Sequence, residues 1–294
     1  MTAPRVLHLD TGRSMRGGQF QALLLLRSLA EGARLLAPAG SPLLEAAARE
    51  GIRAEPIGWS AVRRVSTECD LIHCHDARSH TLAALHARCP FVVSRRVAFP
   101  VKTGWLSRWK YRRAAHYLAI SETVRCTLLE AGVAPERVSV VYDCTQVPER
   151  VSDQTGGVVA IESDDPGKGG ALLRQTGLDI RFSTNLAVDF ETARVFLYVT
   201  EMEGLGSAAL LAMAYGIPVV ASRVGGLPEI VRHEETGLLV ENTVESVRTA
   251  VARLLDDAAW ASRLGAAGRS LVEQRFTIDR MTVDTLAVYR KVLQ

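Results

Sequence analysis

EMEGLGSAALLAMAYGIPVVASRVGGLPEIVRHEETGLLV, residues 201–240, is the stretch from which the fold of this 294-residue chain is read. Glu203-Gly204-Leu205-Gly206-Ser207 is a glycine-punctuated loop, and the Ala/Leu/Met run after it predicts a helix from about Ser207 to Tyr215. Gly216 and Pro218 stop that helix, a C-terminal glycine with a proline just beyond it. Ile217 to Ala221 is short, apolar and rich in β-branched residues, so it reads as a buried parallel strand. A second glycine pair, Gly225-Gly226, follows, and Pro228-Glu229 opens the next helix. Strand, glycine loop and helix start in this order aim backbone N–H groups at an anion.

The flanking sequence repeats the strand–helix alternation. Val6 to Asp10 predicts a first strand, the loop Thr11 to Gly18 follows, and a helix starts near Gln19 and runs through Leu23, Leu26, Arg27 and Ala30. Arg34 to Ala37, Ile52 to Ile57, Phe91 to Ser94, Tyr117 to Ser121 and Val138 to Tyr142 read as further strands. Ser41 is the N-cap of a helix with Pro42 in its first turn, and Ser121 caps another. This spacing predicts an α/β chain with doubly wound parallel sheets. Residues 147–157 are poor in apolar side chains and read as a linker, giving domains at 1–148 and 149–276 with a last helix over 277–294. In the second domain, Val158 to Ile161 is a strand and the Gly-rich loop Asp164 to Gly169 carries Lys168. A lysine there suits phosphate, unless Asp164 and Asp165 neutralise it. Amphipathic helices are predicted over Val244–Leu255 and Ala258–Phe276.

Asp70-Leu71-Ile72-His73-Cys74-His75-Asp76 places two imidazoles on one strand face. A metal is the weaker reading, because no third ligand lies at a diagnostic spacing. The stronger reading puts His75 and Asp76 at the C-terminal edge of the strand, where open α/β sheets hold ligands.

Composition narrows the class. With 48% hydrophobic residues, the chain reads as soluble and globular, without an apolar run of membrane-spanning length. Its start leads straight into a strand, so no signal peptide is expected, and five cysteines without a CxxC pair read as reduced cytosolic thiols. The net charge of +3 is divided unevenly: residues 1–148 carry 20 Lys/Arg against 12 Asp/Glu, and residues 149–294 carry 15 against 20. From Arg95 to Ser121 there are seven basic residues and no acidic one, with Trp105 and Trp109 four apart. Such a stretch suits an anionic partner: a peripheral membrane contact through residues 95–113, or a lipid-linked acceptor. The alternative is a solvated helix with two half-buried tryptophans. Nucleic acid is not expected, since no reader motif accompanies the charge.

The order EGLG, AMAYGIPVVAS, VGG-PEIV, ETGLLV resembles the donor-site signature of family 4 (group 1) glycosyltransferases, and YLAISETVRCTLLEAGVAPERVSVVYD resembles the same family. The resemblance implies a GT-B fold, two Rossmann-like domains facing across a cleft, with the last helix packing back on the acceptor-side domain. It implies glycosyl transfer from a nucleotide-sugar donor to a sugar or lipid-linked acceptor, with retention, without a metal or other cofactor, in the cytoplasm or at the inner face of the membrane. Cell-envelope polysaccharide or glycolipid synthesis is the implied setting. By the same resemblance, Gly17, Gly18, Lys168, Gly204, Leu205, Gly206, Ser207 and Glu229 hold the donor. Glu203 and His75 are the catalytic candidates, and Arg95 and Arg96, where relatives carry a histidine, are acceptor or anion contacts. Two departures stand out. Leu211 occupies the place of a second glutamate, and EGLG comes only 35 residues after Lys168, so the second domain is expected to be trimmed. These departures keep a non-catalytic GT-B-like binding or partner protein as the alternative. A nucleotide-sugar epimerase or a phosphorylase of the same fold is a third reading.

Overall fold

The computed structural model describes residues 4–29, 32–102 and 104–294. Ala30, in the predicted course of the first helix, lies outside them. The chain forms two compact units, Met1–Asp143 with Ile278–Gln294, and Cys144–Thr277.

The first unit alternates β1 (Val6–Leu9), α1 (Gly17–Leu29), β2 (Ala33–Ala37), α2 (Pro42–Arg49), β3 (Arg53–Pro56), α3 (Trp59–Val65), β4 (Leu71–Cys74), α4 (Ala77–His86), β5 (Phe91–Arg95), α5 (Trp105–Arg113), β6 (His116–Ala119), α6 (Glu122–Glu130) and β7 (Val138–Val140). The second contains β8 (Val158–Ile161), α7 (Gly170–Gln175), β9 (Ile180–Ser183), α8 (Leu186–Asp189), β10 (Val195–Tyr198), α9 (Ser207–Ala214), β11 (Val219–Ser222), α10 (Leu227–Ile230), β12 (Gly237–Val240), α11 (Val244–Asp256) and α12 (Ala258–Arg275). The last helix, α13 (Ile278–Leu293), belongs to the first unit and packs on α1 and β6.

Both sheets are parallel. In the first unit the order is β3-β2-β1-β4-β5-β6-β7, and in the second β12-β11-β10-β8-β9. Strands such as VLHL, LIHC, VFLY and VVAS are buried along their whole length, which is why they are mostly apolar, with His8 and His73 as buried exceptions. Each order has a reversal point, between β1 and β4 in one unit and between β8 and β10 in the other. Ligands of doubly wound sheets bind at such points, outside the carboxyl ends of the strands. The loops that matter are therefore those after β1 and β4, and those after β8 and β10.

Local chemistry sets the boundaries. Ser41 accepts from Leu44 N at 3.3 Å and Ser121 from Val124 N at 3.0 Å, so both predicted caps form. The helix expected from Gln19 begins two residues earlier, which puts Gly17 and Gly18 in its first turn rather than in a loop. Helix α3, between β3 and β4, has no predicted counterpart; it is about two turns long and buries only Val62 and Val65. No described helix is long and apolar enough to cross a membrane.

Candidate functional site

In the second unit, the loops after β8 and β10 converge. Asp165 caps a single helical turn by accepting from Gly167 N at 3.0 Å, so it serves the backbone rather than Lys168. Gly167 O accepts from Glu201 N and from Thr200 Oγ1, both at 2.9 Å, which fastens the lysine loop to the loop after β10. Gly169 has φ +68°, and a side chain there would meet Val199 O at 2.6 Å. So anchored, Lys168 Nζ lies 2.8 Å from Glu203 Oε2. Tyr198 OH donates to the same oxygen at 2.5 Å, and Gly204 N donates to Glu203 Oε1 at 3.0 Å. The lysine's partner is thus Glu203, not the neighbouring aspartates.

The two glycine motifs touch. Gly226 N donates to Glu203 O at 3.1 Å. A methyl group on Gly225 would lie 1.9 Å from Glu203 O, and one on Gly226 would lie 2.2 Å from Gly204 O. Glycine is needed at both because backbone meets backbone. Gly206 has φ +110° and starts α9, with Ser207 as its first residue and Leu205 turned into the core. Glu229 sits in the first turn of α10, next to that glycine pair. Gly225→Ala, with its φ of +54° as a second obstacle, is expected to lower stability by about 3 kcal/mol. Urea unfolding measures this, and a midpoint equal to that of the parent chain would contradict the packing described.

In the first unit, the loops after β1 and β4 are joined by Asp76, the N-cap of α4, which accepts from Thr11 N at 2.6 Å and Thr11 Oγ1 at 2.7 Å. Asp10 accepts from Gly12 N and from Gln19 Nε2, holding the glycine loop to the start of α1. His75 follows β4, with its Nε2 2.9 Å from His8 Nδ1 and its Nδ1 3.3 Å from Arg96. Arg96 is ion-paired with Asp143 at 3.2 Å, both side chains about nine-tenths buried. The Arg96 stem runs beside Gly18, where a methyl group would stand 3.6 Å from Cδ. Arg95 turns away, donating to Tyr111 OH at 3.0 Å and to Phe99 O. A cavity of ≈ 180 Å³ opens among His75, Asp76, His80, Arg95, Arg96 and Tyr111. His75, Arg96 and Gly18 are therefore brought together, while Arg95 serves a different wall.

Sequence reasoning missed the third imidazole. His8 pairs in register with His73 across β1 and β4, and His8, His73 and His75 form one buried cluster. Strand alternation offered a signal, since His8 and Asp10 fall on one face at the end of β1. His73 bonds Tyr289 OH at 2.6 Å and Ser94 Oγ at 2.7 Å, so both its nitrogens are engaged. Burial, then neighbouring charge, pushes His8 down to about 3, and His73 and His75 well below the ordinary imidazole value. Three neutral imidazoles could ligate a metal, and His8 Nε2 is buried without a hydrogen-bond partner; the other five ring nitrogens bond each other or their neighbours, and the Arg96 guanidinium opposes a cation there. The cluster is a hydrogen-bonded base for Arg96 and His75.

Two family comparisons match the chain, one mainly within each unit: Glycosyltransferase Family 4 over residues 27–145, and Glycosyl transferases group 1 over residues 182–271. Curated relatives match over shorter stretches. A GDP-mannose-dependent alpha-(1-6)-phosphatidylinositol monomannoside mannosyltransferase of Mycobacterium tuberculosis is 45% identical over 82 residues, 28% of this chain and 21% of that protein. An N-acetyl-alpha-D-glucosaminyl L-malate synthase of Bacillus anthracis is 31% identical over 111 residues, 37% of this chain and 29% of that protein. The match thus spans about a fifth to three tenths of these relatives' lengths. Among solved structures, Anabaena Alr3699/HepE in complex with UDP and glucose superposes with a TM-score of 0.88 at 16% identity, over 98% of this chain and 99% of that one. A glycosyltransferase from Rickettsia africae gives 0.83 at 14% identity, over 98% of each chain. Its glycine motifs in order, the geometry of its two sheets and these matches together show the GT-B fold, with the first unit similar to Glycosyltransferase Family 4 and the second to Glycosyl transferases group 1.

Proposed function

We propose that the chain transfers a sugar from a nucleotide-sugar donor to a sugar or lipid-linked acceptor, with retention of configuration and without a metal. The pairing of Lys168 with Glu203 at the reversal point of the second sheet carries this reading. A cation and fixed N–H groups suit a departing diphosphate, and a carboxylate suits several sugar hydroxyls. The second unit is then the donor side, with Gly204, Leu205, Gly206, Ser207 and Glu229 around the donor. The first is the acceptor side, but Gly17 and Gly18 at the start of α1, where helix N–H groups lack partners within the helix, also serve the donor, at its phosphates. There His75 and Arg96 face the acceptor, and Arg95 lines the adjoining cavity. The relatives' names support cell-envelope polysaccharide or glycolipid synthesis as the setting; the same proposal puts the chain in the cytoplasm, at the inner face of the membrane, and gives it no nucleic-acid partner.

A panel of UDP-, GDP-, ADP- and dTDP-sugars, read by thermal shift and calorimetry, tests the reading. One class of donor should raise the melting temperature by mass action. Lys168→Ala should then weaken binding of that donor about tenfold or more, through the lost contact with phosphate. Silence across the panel from folded protein would overturn the transferase reading. Leu211, half-buried on α9, favours a second reading, a binding module: a donor that binds but is never transferred would establish it.

The membrane contact rests on α5, which buries none of its nine residues. Trp105 is 76% exposed and Leu106 58%, while Arg108, Arg112 and Arg113 are exposed on the same helix. Aromatic and aliphatic side chains among arginines, without a carboxylate, suit an anionic bilayer. Wild type should co-sediment with phosphatidylglycerol-containing vesicles and not with pure phosphatidylcholine. Arg108→Gln/Arg112→Gln/Arg113→Gln should weaken this about a hundredfold, at about fivefold per charge. Equal binding by the triple variant would remove α5 from the contact.

A further inference from the structure

In the sequence, Tyr198 is only the end of the apolar run Val195 to Tyr198, which reads as a strand. In the structure it is buried at the end of β10, with its hydroxyl 2.5 Å from Glu203 Oε2. That oxygen has two donors of unlike character. Lys168 Nζ, at 2.8 Å, sits on a flexible four-carbon stem in a loop and keeps 28% of its side-chain surface exposed. The tyrosine ring is carried by the central part of the sheet and stacks on Phe196, with centroids 5.8 Å apart and planes 21° apart. Burial, and then the Glu203 carboxylate, holds the Tyr198 hydroxyl well above its ordinary pKa, so it remains a donor at any physiological pH. The lysine is the donor that can leave, and the tyrosine is the one that stays.

We propose that Tyr198 is a positioning residue that keeps Glu203 in place while Lys168 exchanges between Glu203 and the phosphates of an incoming nucleotide. The inference rests on the donor-site reading of the second unit. In the ligand-free chain, Lys168 and Glu203 neutralise each other. A diphosphate must draw the lysine away, and a partly buried carboxylate oxygen left without a donor is costly. With Tyr198 still donating, Oε2 keeps a partner, and Oε1 keeps Gly204 N. The carboxylate then stays fixed next to the diphosphate, instead of following the lysine or turning to solvent.

Nucleoside diphosphates without a sugar isolate this exchange, since Glu203 has no hydroxyl to hold. The experiment is calorimetric titration of the full chain with UDP, GDP, ADP and dTDP. Tyr198→Phe, which keeps the ring and its packing, should raise the Kd of the nucleotide that binds about tenfold. In a Lys168→Gln background the same substitution should leave Kd unchanged, because no lysine has to be drawn away. Glu203→Gln supplies a second measurement if Tyr198→Phe melts early: with its ion pair removed, the lysine is free and nucleotide should bind more tightly. Equal weakening by Tyr198→Phe in both backgrounds would show a merely structural tyrosine and overturn the proposal. So would an unchanged Kd in Tyr198→Phe, or a Glu203→Gln variant that binds no more tightly. Wild-type protein that binds none of the four nucleotides would instead overturn the donor-site reading, and this inference with it.

Discussion

Glu203→Ala is expected to lower sugar transfer by a hundred- to a thousandfold, roughly the effect of removing one preorganised polar group from a reacting centre. The carboxylate is not a surface group: its side chain is 17% exposed, both oxygens are bonded, and its backbone is gripped by Gly226. It is held where the loops after β8 and β10 meet, and such fixed polarity needs no reorganisation during reaction. The loss should appear in kcat. Lys168→Ala, by contrast, should act mainly on the donor's KM, because a cation on the diphosphate contributes to binding before bond breaking begins. The fold should survive Glu203→Ala. Lys168 can reach solvent, and the groups stranded are the Tyr198 hydroxyl and the Gly204 N–H, at a cost of about 1–3 kcal/mol each. Initial rates at saturating donor, beside a melting curve, decide it. Wild-type turnover in Glu203→Ala would remove Glu203 from the site, whatever happens to binding.

The parts of this site that were legible in the sequence are those made by local chain. Glycines at 225 and 226 mark positions where backbone must approach backbone, and Gly206, with φ +110°, marks one where a side chain would be strained; such positions tolerate almost nothing else. The β/α alternation exposed both sheets, because strands buried on both faces are short apolar runs between caps and glycines. Side-chain partnerships across the fold were not legible. His8 meets His75 from 67 residues away, and His73 meets Tyr289 from 216 away. No periodicity within a window of sequence encodes such a meeting; it follows from strand order, which places β1 beside β4, and from the return of α13 to the first unit. Tyr198 is nearer, five residues from Glu203, yet a tyrosine in an apolar run reads as core. Lys168 shows the converse. Its sequence neighbours Asp164 and Asp165 are the alternative to a phosphate role, but Asp165 is occupied by a backbone cap and the ion pair forms with Glu203, which no local spacing indicates.

Lowering the pH from 7 to 5 is expected to destabilise the first unit by about 4 kcal/mol, through histidines that the fold keeps neutral. His8 and His80 are buried, and burial foremost, with Arg96 and Lys110 adding repulsion, pushes each pKa down to about 3. In the unfolded chain each titrates near 6.5. Between those values the unfolded state binds protons that the folded state does not. Stability is therefore full above pH 6.5 and falls as pH drops toward 3, by about 2 kcal/mol for each of the two histidines by pH 5. His73, His75 and His116 are shifted the same way, the last pushed down to about 4 by burial foremost, so they add to the loss. Carboxylates held low by arginines, such as Glu50, Glu55 and Asp70, lose their share only below their unfolded values of 4.5 and 3.8, outside this window. Asp10, raised by burial, acts in the opposite sense, but one carboxyl does not reverse five imidazoles. Six of the seven histidines belong to the first unit; the seventh, His233, lies in the second with 42% of its side chain exposed. The loss should accordingly be local. Urea unfolding at pH 7 and pH 5 would measure it, followed by tryptophan emission, because Trp59, Trp105 and Trp109 report on the first unit and Trp260 on the second. Amide exchange at the two pH values, corrected for the intrinsic rate, would place it on β1 and β4. An unchanged urea midpoint, or protection lost first in the second unit, would mean that the buried imidazoles are not what limits stability in acid.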